Sequence, residues 1–165
     1  MNDKRTVFLR PNPPEQSDPS PAGPSVLFAS DVQPPVGCLE LILRMAGAAT
    51  IHNITNFTSI TARCLELRPD LIVIDTSPGP GQDVLTSLRE ISRDQGFLPT
   101  VVLTSDRTAH TRDRALAAGA TDVITKPCDE VDLVERISNL LIMRALYRHV
   151  QHRNLVPQSG YDTSA

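Results

Sequence analysis

Apolar residues gather in this chain into short unbroken runs that end on polar side chains. Val26-Leu27-Phe28-Ala29 ends at Ser30-Asp31, and Leu71-Ile72-Val73-Ile74 ends at Asp75. Runs of this length with no alternation read as strands buried on both faces. A third run, Val101-Val102-Leu103, follows Pro99 and ends at Thr104-Ser105, and a weaker fourth, Asp122-Val123-Ile124-Thr125, leads into Lys126-Pro127. Residues 49 to 54 add another strand through the β-branched Thr50, Ile51 and Ile54.

Between the runs the apolar period changes to that of a helix. Val36, Leu39, Leu43 and Ala46 recur at helical spacing, with Pro34 and Pro35 suited to a first turn and Gly47 to a stop. Phe57, Ile60, Cys64 and Leu67 repeat the pattern until Arg68-Pro69 breaks it, and Val84, Leu85, Leu88 and Ile91 repeat it again. Ala115 to Ala118 leads to Gly119, a natural left-handed cap, and Asp129 caps a last helix with Leu133, Val134, Ile137, Leu140 and Leu141 on its apolar face. Strand and helix thus alternate five times. Each parallel crossover must return across the sheet right-handed, so the pattern predicts an α/β fold, a doubly wound sandwich with helices on both faces of a parallel sheet.

Composition narrows the picture. The 165 residues suffice for one core with tails, and a 40% hydrophobic, 21% charged composition suits a folded, soluble chain. Six of the 14 prolines fall in the first 24 residues, which predicts a disordered Pro-rich leader over residues 1–24 and a folded domain over 25–140. Residues 141–165 continue the last helix and then run into a flexible tail. They carry a net +2 against −5 for 25–140, yet three arginines without a helix-turn-helix argue against direct DNA binding. The absence of a signal, lipidation motif or long apolar run predicts a cytoplasmic protein with no membrane partner. Cys38, Cys64 and Cys128 form no disulfide or zinc pattern and read as reduced structural thiols, while the four histidines have no metal-ligand spacing.

In a doubly wound sheet, ligands sit beyond the carboxyl ends of the strands. The polar residues that terminate the runs are Asp31, Asp75, Thr104 and Lys126: two carboxylates, a hydroxyl and an ammonium at one edge. Neighbouring carboxylates repel unless a hard cation such as Mg2+ neutralises them, and a phosphoryl group is the common anion that uses cation, hydroxyl and ammonium together. Lysine usage supports a special role for Lys126. Of 16 basic residues only Lys4 and Lys126 are lysine, so arginine serves everywhere else in the folded region. No Gly-rich loop follows the first strand, which disfavours a flavin or nucleotide carrier.

These residues resemble the receiver domain of two-component response regulators, a CheY-like, flavodoxin-like family. The resemblance covers about Ser25 to Leu140 and rests on Ser30-Asp31, on Arg68-Pro69-Asp70-Leu71-Ile72-Val73-Ile74-Asp75, on Val101-Val102-Leu103-Thr104-Ser105 and on Ala117 through Pro127. It implies a (βα)5 sandwich with a central five-stranded parallel sheet in the order 2-1-3-4-5. It also implies that Asp75 is the phosphoacceptor, served by a sensor histidine kinase or a phosphotransfer protein. Mg2+ would be held by Asp31, Asp75 and the backbone carbonyl of Ser77. Thr104 and Lys126 would bind phosphoryl oxygens, and the Lys126-Pro127 bond would be cis. Such a chain is a switch, not an enzyme acting on outside substrates.

Three positions depart from the family pattern: Ser30 stands where a second acid is usual, Val123 where a switch aromatic is usual, and Pro78 comes one position early in the loop Thr76-Ser77-Pro78-Gly79-Pro80-Gly81. They motivate the alternative of a degenerate receiver that binds its partner without phosphorylation. The extended last helix resembles the linker that precedes an output module. The expected partners are therefore a downstream protein or a missing output domain, with homodimerisation through that helix as a further possibility.

Overall fold

The computed structural model describes residues 23–31, 37–94 and 96–155. The expected Pro-rich leader, the Pro34-Pro35 start of the first helix and the tail past residue 155 lie outside the described residues, apart from Gly23 and Pro24. The elements run β1 (Ser25–Ser30), α1 (Gly37–Met45), β2 (Thr50–Ile54), a 3-10 turn (Phe57–Ser59), α2 (Ile60–Leu67), β3 (Leu71–Thr76), α3 (Gln82–Asp94), β4 (Thr100–Thr104), α4 (Ala109–Ala117), β5 (Asp122–Thr125) and α5 (Glu130–Leu155).

All five strands form one sheet in the order β2-β1-β3-β4-β5, and every neighbouring pair is parallel. The expected (βα)5 sandwich is the fold observed. Strand periodicity divides its core in two. Leu27, Ala29, Ile72, Ile74 and Val102 face one side with Ile60, Cys64, Val84, Leu88 and Ala115, the inner faces of α2, α3 and α4. Val26, Phe28, Leu71, Val73, Val101 and Leu103 face the other with Leu43, Leu133, Ile137 and Leu140 of α1 and α5. Because β1, β3 and β4 are covered on both sides, each of their apolar positions is usable, which is why those runs need no polar alternation. Burying each such Leu, Ile or Val side chain stabilises the fold by about 1.5–3 kcal/mol.

The element ends follow local chemistry. The stretch expected to begin a helix at Phe57 opens as a 3-10 turn because Asn56 Oδ1 accepts from Thr58 N–H at 3.0 Å. Helix α2 stops at Leu67, and Arg68 takes a left-handed conformation with φ 46°. The following Pro69 disfavours helical backbone at Arg68, so the chain turns there despite the cost to a residue with a Cβ. Thr108 caps α4 by accepting from Thr111 N–H at 3.3 Å, and Asp129 caps α5 through Asp132 N–H at 3.0 Å.

Past Leu141, α5 continues across the amino edge of the sheet. Arg148 Nη1 reaches Asp70 Oδ1 at 2.6 Å, while Asp70 Oδ2 accepts from Ser25 N–H at 2.9 Å. An Arg144 guanidinium N–H donates to the Phe97 carbonyl, and Arg144 lies over the Tyr147 ring, 5.9 Å from its centroid. Tyr147 meets Phe97 edge to face, with ring centroids 5.7 Å apart. Gly96 lies directly beneath, where a Cβ would stand 2.8 Å from the Tyr147 hydroxyl. Two of the three arginines of this basic stretch therefore serve the domain itself.

Candidate functional site at the carboxyl edge

The parallel register brings the polar run-ends to one edge. Ser30 is paired with Asp75, Thr76 with Thr104, and Thr104 with Thr125, so Asp31 and Lys126 each stand one residue beyond the ladder. Asp75 and Lys126, 51 residues apart in sequence, meet directly: Lys126 Nζ forms an ion pair with Asp75 Oδ1. Both groups remain accessible, at 17% and 32% side-chain exposure, so the carboxylate is open to a reagent from outside. The Lys126–Pro127 peptide is cis, as the resemblance implies, and Lys126 N–H is held by the Thr104 carbonyl at 2.7 Å.

Thr104 is fully buried, and its hydroxyl donates to the Pro78 carbonyl at 2.5 Å. The same carbonyl accepts from Asp106 N–H at 2.7 Å. The loop after β3 is thereby tied to the loop after β4, and a second tie joins the Ser77 and Ser105 hydroxyls at 2.9 Å. Asp106 fixes the far side of this junction. Its carboxylate accepts from the Thr111 hydroxyl at 2.5 Å and from Thr108 N–H at 2.9 Å. The Thr111 bond, seconded by those from Thr108, holds the Asp106 carboxyl below its ordinary range. The Ser77–Pro78 peptide is cis as well, and Gly79 passes so near Thr111 that an added Cβ would come within 3.2 Å of its methyl.

Of the residues singled out in the sequence, Asp75 and Lys126 touch, and Thr104 stands beside them with its hydroxyl committed to Pro78. Asp31 is exposed at the end of β1, and Ser77 is exposed just past β3. The sequence reading missed Pro78 as the partner of Thr104 and missed Asp106 altogether. An Asp-x-Thr turn signal at Asp106 and Thr108 was available in the sequence and marks the side-chain-to-backbone bond seen here. No group of three or more His, Cys, Asp and Glu suited to a metal is found among the described residues. Beside the Lys126 ammonium, the groups this edge offers to a cation are all oxygen, the carboxylates of Asp31 and Asp75 and nearby carbonyls. That chemistry fits a hard divalent cation that keeps several of its waters.

This sheet order, with a strand-end aspartate paired to a strand-end lysine at the carboxyl edge, defines a receiver-type α/β domain. The chain belongs to the response regulator receiver domain family, whose model matches residues 26–138. It is the receiver domain of a two-component response regulator. Over 129 residues it is 32% identical to the transcriptional regulatory protein PrrA of Mycobacterium leprae, covering 77% of this chain and 54% of that one. It is also 29% identical to the phosphate regulon transcriptional regulatory protein PhoB of Pseudomonas aeruginosa, covering 72% of this chain and 52% of that one. The chain thus spans about half the length of the curated relatives it matches. Among solved structures, a CheY-like response regulator receiver domain protein of Methanospirillum hungatei aligns with a TM-score of 0.64 at 18% identity, over 75% of this chain and 98% of that one. Among the described residues, no helix is long and apolar enough to cross a membrane.

Proposed function

We propose that the chain is a phosphorylation-driven switch in which Asp75 accepts a phosphoryl group from a sensor histidine kinase or a phosphotransfer protein. The observation that carries this reading is the direct pairing of Lys126 with one oxygen of an accessible, strand-end Asp75. One carboxylate oxygen is held by the ammonium, and the other attacks phosphorus. The O–P bond of an acyl phosphate forms as the donor's N–P bond breaks, and the departing imidazole takes up a proton. Asp31, Asp75 and the carbonyl of Ser77 are the groups that would hold Mg2+, which when bound supplies positive charge to the phosphoryl oxygens.

Lys126 then keeps its place against the new group, and the Thr104 hydroxyl turns from the Pro78 carbonyl to a phosphoryl oxygen. Giving up Pro78 loosens the junction between the β3 and β4 loops. The changed loops, and the polar depression beside α4 and β5 lined by Arg112, Asp129 and Arg136, are the face offered to a downstream protein or output domain. The setting is cytoplasmic, where the phosphodonors are found.

A second reading is favoured by two observations: the Thr104 hydroxyl already has a partner in the Pro78 carbonyl, and Ser30 leaves the edge with one acid fewer than the family pattern. In that reading the domain binds its partner in a single conformation, without phosphorylation. Incubation with Mg2+ and a small phosphodonor, followed by intact-mass measurement, separates the two. The switch gives a Mg2+-dependent gain of one phosphoryl group that is lost in Asp75→Asn. An unchanged mass under the same conditions rejects it in favour of the second reading.

A further inference from the structure

Helix α5 has one face fully used and the opposite face bare. Leu133, Ile137, Leu140, Arg144 and Arg148 point into the core or onto the amino edge of the sheet. At about 100° per residue the opposite pole carries Glu135, Ile142, Leu146 and Arg153, with Asn139 and Val150 beside them. Ile142, Leu146 and Val150 are 55%, 61% and 54% exposed, although each is a large apolar side chain. Glu135 and Arg153 are exposed too, and neither makes an ion pair among the described residues.

The order of these residues is the informative feature. Glu135 and Arg153 lie on one line along the helix, five turns or about 27 Å apart. Ile142 and Leu146 sit symmetrically about the same midpoint, position 144. An acid at one end, a base at the other and two apolar residues about the centre make a strip that complements itself when reversed. The geometry points to a second copy of this chain as the occupant. Two α5 helices pair antiparallel about a two-fold axis near position 144, with Ile142 against Leu146 and Glu135 against Arg153, each contact made twice.

A parallel pair would set Glu135 on Glu135 and Arg153 on Arg153, so the charges favour the antiparallel arrangement. The bulk of each domain lies on the far side of its own helix, so the two bodies stand apart. The clasp of Arg144 and Arg148 fastens the second half of the helix to the amino edge, and pairing therefore needs little further ordering of it. Most of the strip lies past residue 138, where the family match ends. The contact is small, so the dimer is weak and concentration-dependent.

Sedimentation equilibrium of the full chain tests this, and because unphosphorylated protein is used the result is independent of whether Asp75 accepts phosphate. The wild type forms a dimer, and Leu146→Asp raises the dissociation constant about tenfold or more. Glu135→Arg and Arg153→Glu each weaken association. Combining both changes in one chain restores it, and so does mixing the two singly changed proteins, because every 135–153 contact is then again between opposite charges. All these positions are exposed. Should Leu146→Asp fail to fold, the charge exchanges carry the test alone. A wild type that stays monomeric up to about 1 mM, or a dimer indifferent to the charge exchanges, overturns the proposal.

Discussion

Lys126 is the one lysine among the residues from 25 onward, and it lies against Asp75. An ammonium on a flexible stem can follow an oxygen as a carboxylate becomes an acyl phosphate, whereas a planar guanidinium would have to reorient as a unit. Lys126→Ala is therefore expected to keep the fold while costing about 1–3 kcal/mol, because it leaves the Asp75 carboxylate, only 17% exposed, without its ammonium. It should blunt the response to phosphorylation, read as the change in amide exchange of residues 76–81 on adding phosphodonor. Loss of the folded circular-dichroism spectrum would make the lysine structural instead.

Cys64 shows a different kind of control, by burial alone. Its surroundings in the apolar core push the thiol from 9.0 up to about 12. The folded chain thus keeps a proton that the unfolded chain loses, and stability falls as pH rises through that window, by at most about 1.4 kcal/mol per pH unit. Urea midpoints compared at about pH 8 and about pH 10 should show a steeper loss for the wild type than for Cys64→Ala. Equal slopes would remove the thiol from the account. The exposed Cys38, whose thiol is raised by its hydrogen bond to Glu130, should be alkylated in the native protein while Cys64 is spared.

At the scale of elements, α5 does more than close the sandwich. Its first half fills the core, and its second half is fastened to the amino edge through Arg148, Asp70 and the Ser25 amide. Arg148→Ala leaves a largely buried Asp70 carboxylate with, among the described residues, only the Ser25 bond, a loss expected to cost about 1–3 kcal/mol in chemical unfolding. No measurable change would mean that the fastening is idle. Sequence alone could not reveal it. Arginines on the continuation of an amphipathic helix look like a solvated basic face, and only the docking of that helix over Asp70 and Phe97 shows where two of them go. The helix itself was legible, through Asp129 at its start and the spacing from Leu133 to Leu141.

For the whole molecule, the fold could be read because three strands are buried on both faces and announce themselves as apolar runs ended by chemistry-bearing residues. Parallel register then carries Asp75, Thr104 and Lys126 to one edge without further information. The loop after β3 was not legible in the same way. Whether Thr104 faces an empty site or a carbonyl depends on how Ser77-Pro78-Gly79-Pro80 turns, and no periodicity encodes that turn. The reach of Thr104 to Pro78 makes the resting edge a closed junction that phosphorylation would have to open.

Locating the phosphoryl group tests the central claim most directly. Protein treated with Mg2+ and a small phosphodonor, reduced with borohydride to convert any acyl phosphate to an alcohol, and mapped by tandem mass spectrometry should carry the change at Asp75 and at no other carboxylate. A change at Asp31 or Asp106, or unmodified peptides throughout, would contradict it.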